Sequence, residues 1–146
     1  MIPFTFKFEL ASTDYNIPLG FRVLVDGTEQ WATQHIKQPE TVSIEIPDSD
    51  EEILHELKLE LSGKELDHTT IDDQGQIVSD VLVTVSNITL DDIRIDYPVY
   101  CNSEYYHDFN GTQAETTDKF YGTLGCNGSV IFKFSTPIFL WLLDHS

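Results

Sequence analysis

Apolar and polar positions alternate with a period of two over much of this chain. Phe4, Phe6, Phe8 and Leu10 alternate with Thr5, Lys7 and Glu9, and Leu57, Leu59 and Leu61 alternate with Glu56, Lys58 and Glu60. Successive side chains of a strand point to opposite faces, so this rhythm predicts strands with one face buried. It places Phe4, Phe6, Phe8, Leu57, Leu59, Leu61 and Val83 in a core. Further strands are predicted over 21–25, around Trp31, and over 41–46, 81–85, 93–96 and 130–134. Asp26-Gly27 is a hairpin dipeptide, because Gly tolerates the positive φ such turns need. Asp72-Asp73-Gln74-Gly75 is a second turn, and the segments 53–61 and 81–96 around it read as one half-buried antiparallel sheet. The acidic stretch 48–52 reads as a solvated loop, with a single helical turn conceivable over 48–54.

Two segments break the rhythm. Residues 138–143 (Ile-Phe-Leu-Trp-Leu-Leu) are apolar on both faces, which suits a central strand or a terminal strand that meets another subunit. Residues 97–126 mix aromatic and polar side chains without a period and read as a long loop, a kind of segment that often carries function. Short strands at regular spacing predict an all-β fold: a two-sheet antiparallel β-sandwich of jelly-roll type with about eight strands and little or no helix. The 146 residues fit one domain spanning 1–146.

Charge narrows the function. The chain carries 25 acidic residues against 8 Lys plus Arg, a net −17. Nucleic-acid affinity rests on cations that neutralise phosphates, so this balance excludes it, and it disfavours anionic membranes. The acids keep the protein soluble or collect divalent cations. The N-terminus lacks the basic segment and apolar stretch of a signal peptide, and no apolar run approaches the roughly 20 residues of a membrane helix. Synthesis and folding in a cytoplasm are expected. Three sequons, at Asn87, Asn110 and Asn127, matter only in a secretory route and are set aside. Cys101 and Cys126 flank one polar segment; a bridge would staple it, whereas a reducing cytoplasm favours free thiols.

Candidate chemistry is sparse. Asp72 and Asp73, with Asp67 nearby, offer hard oxygens for calcium, and Asp91, Asp92 and Asp96 offer a second set. The Asp72-Asp73 turn lacks the alternate ligand positions and distal Glu of a calcium loop, and Asp and Gly are preferred turn residues in any case. His55 shares the face of Leu57 and Leu59, so partial burial is expected. His68, beside Thr69, could approach His55 across the turn, and such a His pair joined to Asp72 could support proton transfer or bind a metal, although a structural role is the simpler one. No nucleophile elbow, close histidine pair or phosphate loop is present, so no enzyme is expected. Carbohydrate binding fits better, since sugars are held by aromatic faces and polar side chains. Tyr100, Tyr105, Tyr106, Asp108, Phe109, Asn110 and Tyr121, with Asn102, crowd into one segment. With Trp141 of the terminal run they form the expected contact surface.

Two stretches carry a resemblance. They are His55 to Lys64 continuing to Asp72, and Tyr106-His107-Asp108-Phe109-Asn110-Gly111-Thr112 continuing through Lys119 to Gly128. They resemble small proteins, without assigned chemistry, encoded by tailed bacteriophages of marine cyanobacteria. The likeness spans roughly residues 20 to 146 and transfers no functional residue. The layout is also similar to calcium-dependent carbohydrate-binding modules of jelly-roll fold, a likeness of architecture alone. Together these imply a non-enzymatic virion component, made in the host cytoplasm. It would contact other virion proteins, itself as a homo-oligomer, or a host-surface glycan. The alternative is a calcium-assisted carbohydrate-binding module acting alone.

Overall fold

The computed structural model describes residues 2–65, 70–108 and 114–145. Its strands form two antiparallel sheets packed face to face, a β-sandwich. One sheet holds β1 (Phe4–Ser12), β4 (Glu40–Ile46), β8 (Val83–Leu90), β9 (Ile93–Arg94) and β12 (Thr123–Leu124), in the order β12-β8-β1-β4 with β9 pairing β8. The other holds β2 (Gly20–Val25), β3 (Thr28–Thr33), β5 (Leu54–Ser62), β10 (Ser103–His107), β11 (Thr116–Lys119) and β13 (Gly128–Ser135), in the order β11-β10-β13-β5-β2-β3. A small hairpin, β6 (Thr70–Ile71) with β7 (Ile77–Ser79), stands on the crossing from β5 to β8. Among the described residues there are thirteen strands, eight of them five residues or longer, against the about eight that the sequence suggests.

The core follows parity. Phe4, Phe6, Phe8, Leu57, Leu59, Leu61 and Val83 are each 3 % exposed or less. Aromatic rings join the layers: Phe4 on β1 meets Phe134 on β13 edge-on at 5.9 Å, and Phe8 meets Phe21 on β2 at 6.2 Å. Each such buried side chain contributes about 1.5–3 kcal/mol.

Three expectations are corrected. First, β5 and β8 lie in different sheets rather than one. Alternation shows that a strand has a buried face but not which strand it pairs with. Second, the apolar run after Pro137 is a helix, α2 (Ile138–His145), not a strand. Periodicity cannot separate a short apolar strand from a helix. Here Pro137 precedes the first turn and its carbonyl accepts from Trp141 N–H at 3.1 Å, while the Asp48 carboxylate accepts from Ile138 N–H at 3.2 Å. Ile138 and Trp141 face inward, and Trp141 sits edge-on to Phe132 at 5.4 Å. Third, the predicted strand over 93–96 stops at Arg94, and α1 (Asp96–Cys101) follows, with Pro98 in its first turn, where no N–H is needed. Residues 48–54 form no helical turn.

Asp26-Gly27 forms the expected β2–β3 turn, with φ of 51° and 83°. The Asp26 carboxylate also accepts from Glu56 N–H at 2.8 Å and faces His55 Nδ1 at 2.7 Å. His55 is partly buried, stacked on Phe134. Burial pushes the Asp26 carboxyl up, but the Glu56 N–H and His55 outweigh it and hold it below its ordinary value.

Two outcomes follow from this packing. Leu59→Ala should cost about 2–5 kcal/mol in urea unfolding and Trp141→Ala about 3–5 kcal/mol. Lys58→Ala, on the opposite face from Leu59, should stay within about 0.5 kcal/mol. Because the folded pKa of Asp26 is depressed, its stabilisation is complete above the unfolded value, about 4, and is lost as pH falls through the folded value. The urea midpoints of wild type and Asp26→Asn should therefore differ at pH 5 and draw together as pH falls through the folded value.

Candidate functional site: a groove on the outer face of the six-stranded sheet

The aromatic segment expected to be a long loop is largely a hairpin. β10 pairs β13 on one side and the edge strand β11 on the other. Parity then divides neighbouring residues. Ser103, Tyr105 and His107 point into the sandwich, while Glu104 and Tyr106 point out. Val130, Phe132 and Phe134 of β13 are likewise buried, leaving Ile131 and Lys133 on the outer face.

Register sets these outward residues side by side. Lys119, Glu104, Ile131 and Lys58 form one row across β11, β10, β13 and β5; Thr117, Tyr106, Ser129, Glu60 and Arg22 form the next, reaching β2. Over the first strands lies a groove of about 430 Å³ lined by Glu104, Tyr106, Thr117, Lys119, Ile131 and Lys133, among others. Tyr106 donates its hydroxyl to the Glu104 carboxylate, which pushes the phenol pKa up and pins the ring beside the groove. A second hollow, of about 490 Å³, lies on the same face over Arg22, Glu29 and Glu60, where Arg22 grips Glu60 through two nitrogens at 2.7 and 3.2 Å.

The charge of this face is unlike that of the chain. Arg22, Lys58, Lys119 and Lys133 are four of its eight basic residues. They stand among Glu29, Glu56, Glu60 and Glu104, with Asp118 also lining the groove, so the face is close to neutral and nearly all of the net −17 lies elsewhere.

The sequence-derived contact surface is only partly assembled. Tyr106 and Asn102 line the groove. Tyr105 is 6 % exposed; its hydroxyl accepts from Cys126 N–H at 3.0 Å and donates to Cys126 C=O, and burial pushes its phenol well up. Tyr100 is half-buried, edge-on to Phe120 at 5.6 Å. Tyr121 is 71 % exposed but does not line the groove, and Asp108 is exposed at the end of β10. Phe109 and Asn110 lie outside the described residues. Trp141 is in the core, which removes it from the contact surface. Sequence reasoning missed Glu104, Lys119 and Lys133. The alternation around Lys133 was readable, but that of β10 was masked by aromatic residues on both faces.

The other candidates are structural. Both cysteines are free, and burial pushes the Cys126 thiol up, away from a thiolate. His107 Nε2 meets Asp118 at 2.5 Å, His35 Nε2 meets Tyr15 C=O at 2.9 Å, and His145 Nδ1 meets Trp141 C=O at 2.8 Å. Asp72 Oδ1 accepts from Gln74 and Gln76 N–H, both at 2.9 Å, which closes the β6–β7 turn beside the exposed Asp73. Asp91 accepts from Thr5 N–H at 2.8 Å, and Asp96 accepts from Ile88 N–H at 2.8 Å. Asp67, His68 and Thr69 lie outside the described residues.

No protein-family model and no curated protein matches this sequence. Among solved structures the fold is similar to a selenomethionine form of vCBM60. That form is described with the words "Circular permutation provides an evolutionary link between two families of calcium-dependent carbohydrate binding modules". The TM-score is 0.50 at 11 % identity, over 88 % of this chain and 89 % of that one. It is also similar to vCBM60 in complex with galactobiose, with a TM-score of 0.44 at 17 % identity, over 88 % and 96 % of the two chains. At these identities the likeness is one of fold.

Calcium takes six to eight oxygen ligands. Among the described residues no three of the His, Cys, Asp and Glu side chains come together as a metal site.

The two adjacent tyrosines should separate structure from surface. Tyr105→Phe should cost about 1–3 kcal/mol, because it strands the Cys126 backbone groups, while Tyr106→Phe should stay within about 0.5 kcal/mol. Thermal and urea unfolding of the two variants measure both.

Proposed function

We propose that this chain is a non-catalytic module that binds neutral glycan in the outer-face groove around Tyr106. The observation that carries this reading is the nearly neutral face on a protein of net charge −17. An uncharged ligand is the class that such a face neither repels nor attracts at long range. Tyr106 gives an apolar ring with a polar tip, and Glu104, Thr117, Lys119 and Lys133 supply acceptors and donors along it. A volume of about 430 Å³ falls within the range of small-ligand sites. The sandwich's likeness to a structure described as a carbohydrate-binding module supports the same class.

The virion setting expected from the sequence resemblance would add an address: on a phage particle the groove would meet a glycan of the host surface. Contacts with other virion proteins or with a second copy of the chain would fall to a different surface, where Ile93, Phe139 and Leu143 are exposed around an apolar hollow.

Calorimetric titration with a panel of neutral di- to tetrasaccharides tests the reading. At least one should bind, and Tyr106→Ala should weaken it about tenfold or more, equivalent to about 1.4 kcal/mol. Tyr121→Ala should leave binding unchanged. A wild-type protein that binds none of the panel, or one whose binding survives Tyr106→Ala, would sink it.

A further inference from the structure

Both ends of the β5–β8 crossing and the β12–β13 crossing converge on one buried ammonium. Lys64 follows β5, and its side chain is 1 % exposed. Nζ donates to Asp80 Oδ1 at 2.5 Å, to Val81 C=O at 2.9 Å and to Gly125 C=O. Asp80 and Val81 lead into β8, and Gly125 lies between β12 and β13. An ammonium has three N–H donors, and all three are used. The Lys64 backbone is clamped as well: its N–H donates to Asn127 Oδ1 and its carbonyl accepts from Asn127 Nδ2, both at 2.8 Å.

One carboxylate and two backbone carbonyls closing on a point of positive charge are the donors a hard cation takes from loops. The fold is similar to one described among calcium-dependent carbohydrate-binding modules, yet no three His, Cys, Asp or Glu side chains of the described residues come together as a metal site. We propose that Lys64 is a covalently tethered structural cation, which holds these connections in register and makes the protein's stability independent of calcium. A charge this deeply buried persists only when fully partnered, as it is here.

The cage also reaches the groove. Cys126 lies between Gly125, a cage ligand, and Asn127, the clamp, and is tied to Tyr105, whose sequence neighbours Glu104 and Tyr106 line the groove. The consequence that glycan binding needs no calcium rests on the function proposed above; the structural role of Lys64 does not.

Melting curves recorded without sugar test the structural role, so a protein that binds no glycan still decides it. Metal-stripped wild type should melt at the same temperature in EDTA and in millimolar calcium. Any small shift from charge screening should be reproduced by magnesium. Lys64→Met keeps the apolar stem without the charge and should melt several degrees lower, or fail to fold. Asp80→Asn keeps an oxygen acceptor, removes the counter-charge and should give a smaller drop. A wild-type melting temperature that rises several degrees with calcium but not magnesium overturns the proposal, because that is the signature of an ion binding only the native state. A Lys64→Met variant as stable as wild type overturns it too.

Discussion

Every long strand of this protein must take one face out of water, and the sandwich exists because two sheets do so against each other. The phenylalanines of β1 supply one side of that contact and meet Phe21 of β2 and Phe134 of β13 across the layers. This burial commits alternate residues of each strand to packing. Anything that recognises a ligand is left to the outward rows or to the connections at strand ends. Tyr105 and Tyr106 show the force of the constraint. They are adjacent and chemically identical, yet one is a buried strut holding Cys126 and the other lines a groove.

The connections pose the complementary problem. Where the chain leaves one sheet for the other, its carbonyls lose their ladder partners, and buried carbonyls without a donor are costly. The Lys64 ammonium answers for two of them, Val81 and Gly125, and the Asp80 carboxylate balances its charge. The chain has few basic residues, and their placement is informative. Lys64 is spent inside, four others stand on the outer face of the six-stranded sheet, and Arg94 pairs with Asp96.

Much of the fold was legible because burial leaves a period of two in the sequence. The rows through Phe4, Phe6 and Phe8 and through Leu57, Leu59 and Leu61 needed no partner to be recognised. Pairing was not legible, since β5 would read the same beside β8 as beside β13 and β2, its actual neighbours. The terminal helix was missed because a run that is apolar throughout carries no period; only its contacts with Phe132 and Phe134 distinguish Trp141 from Phe139, which stays exposed. The groove was half legible. Tyr106 stood out as an aromatic, but Glu104 and Lys119 gain meaning only when register sets them opposite each other and Ile131 closes the row. Lys64 carried no signal at all, because its partners Asp80, Val81 and Gly125 lie 16 to 61 residues away in sequence.

The position of the groove at a sheet edge has its own logic. An exposed edge strand invites pairing with another chain, and short polar strands carrying lysine blunt that risk. β11 is such a strand: four residues, Thr116, Thr117, Asp118 and Lys119, all exposed. The same side chains that discourage a second sheet from docking give the groove its polar rim. Its floor, meanwhile, comes from β10 and β13, strands held in the interior of the sheet. A rigid floor and a polar rim that ends at open solvent suit a ligand longer than the groove, because a chain of sugars can seat one part there and run off the edge without distorting the sandwich.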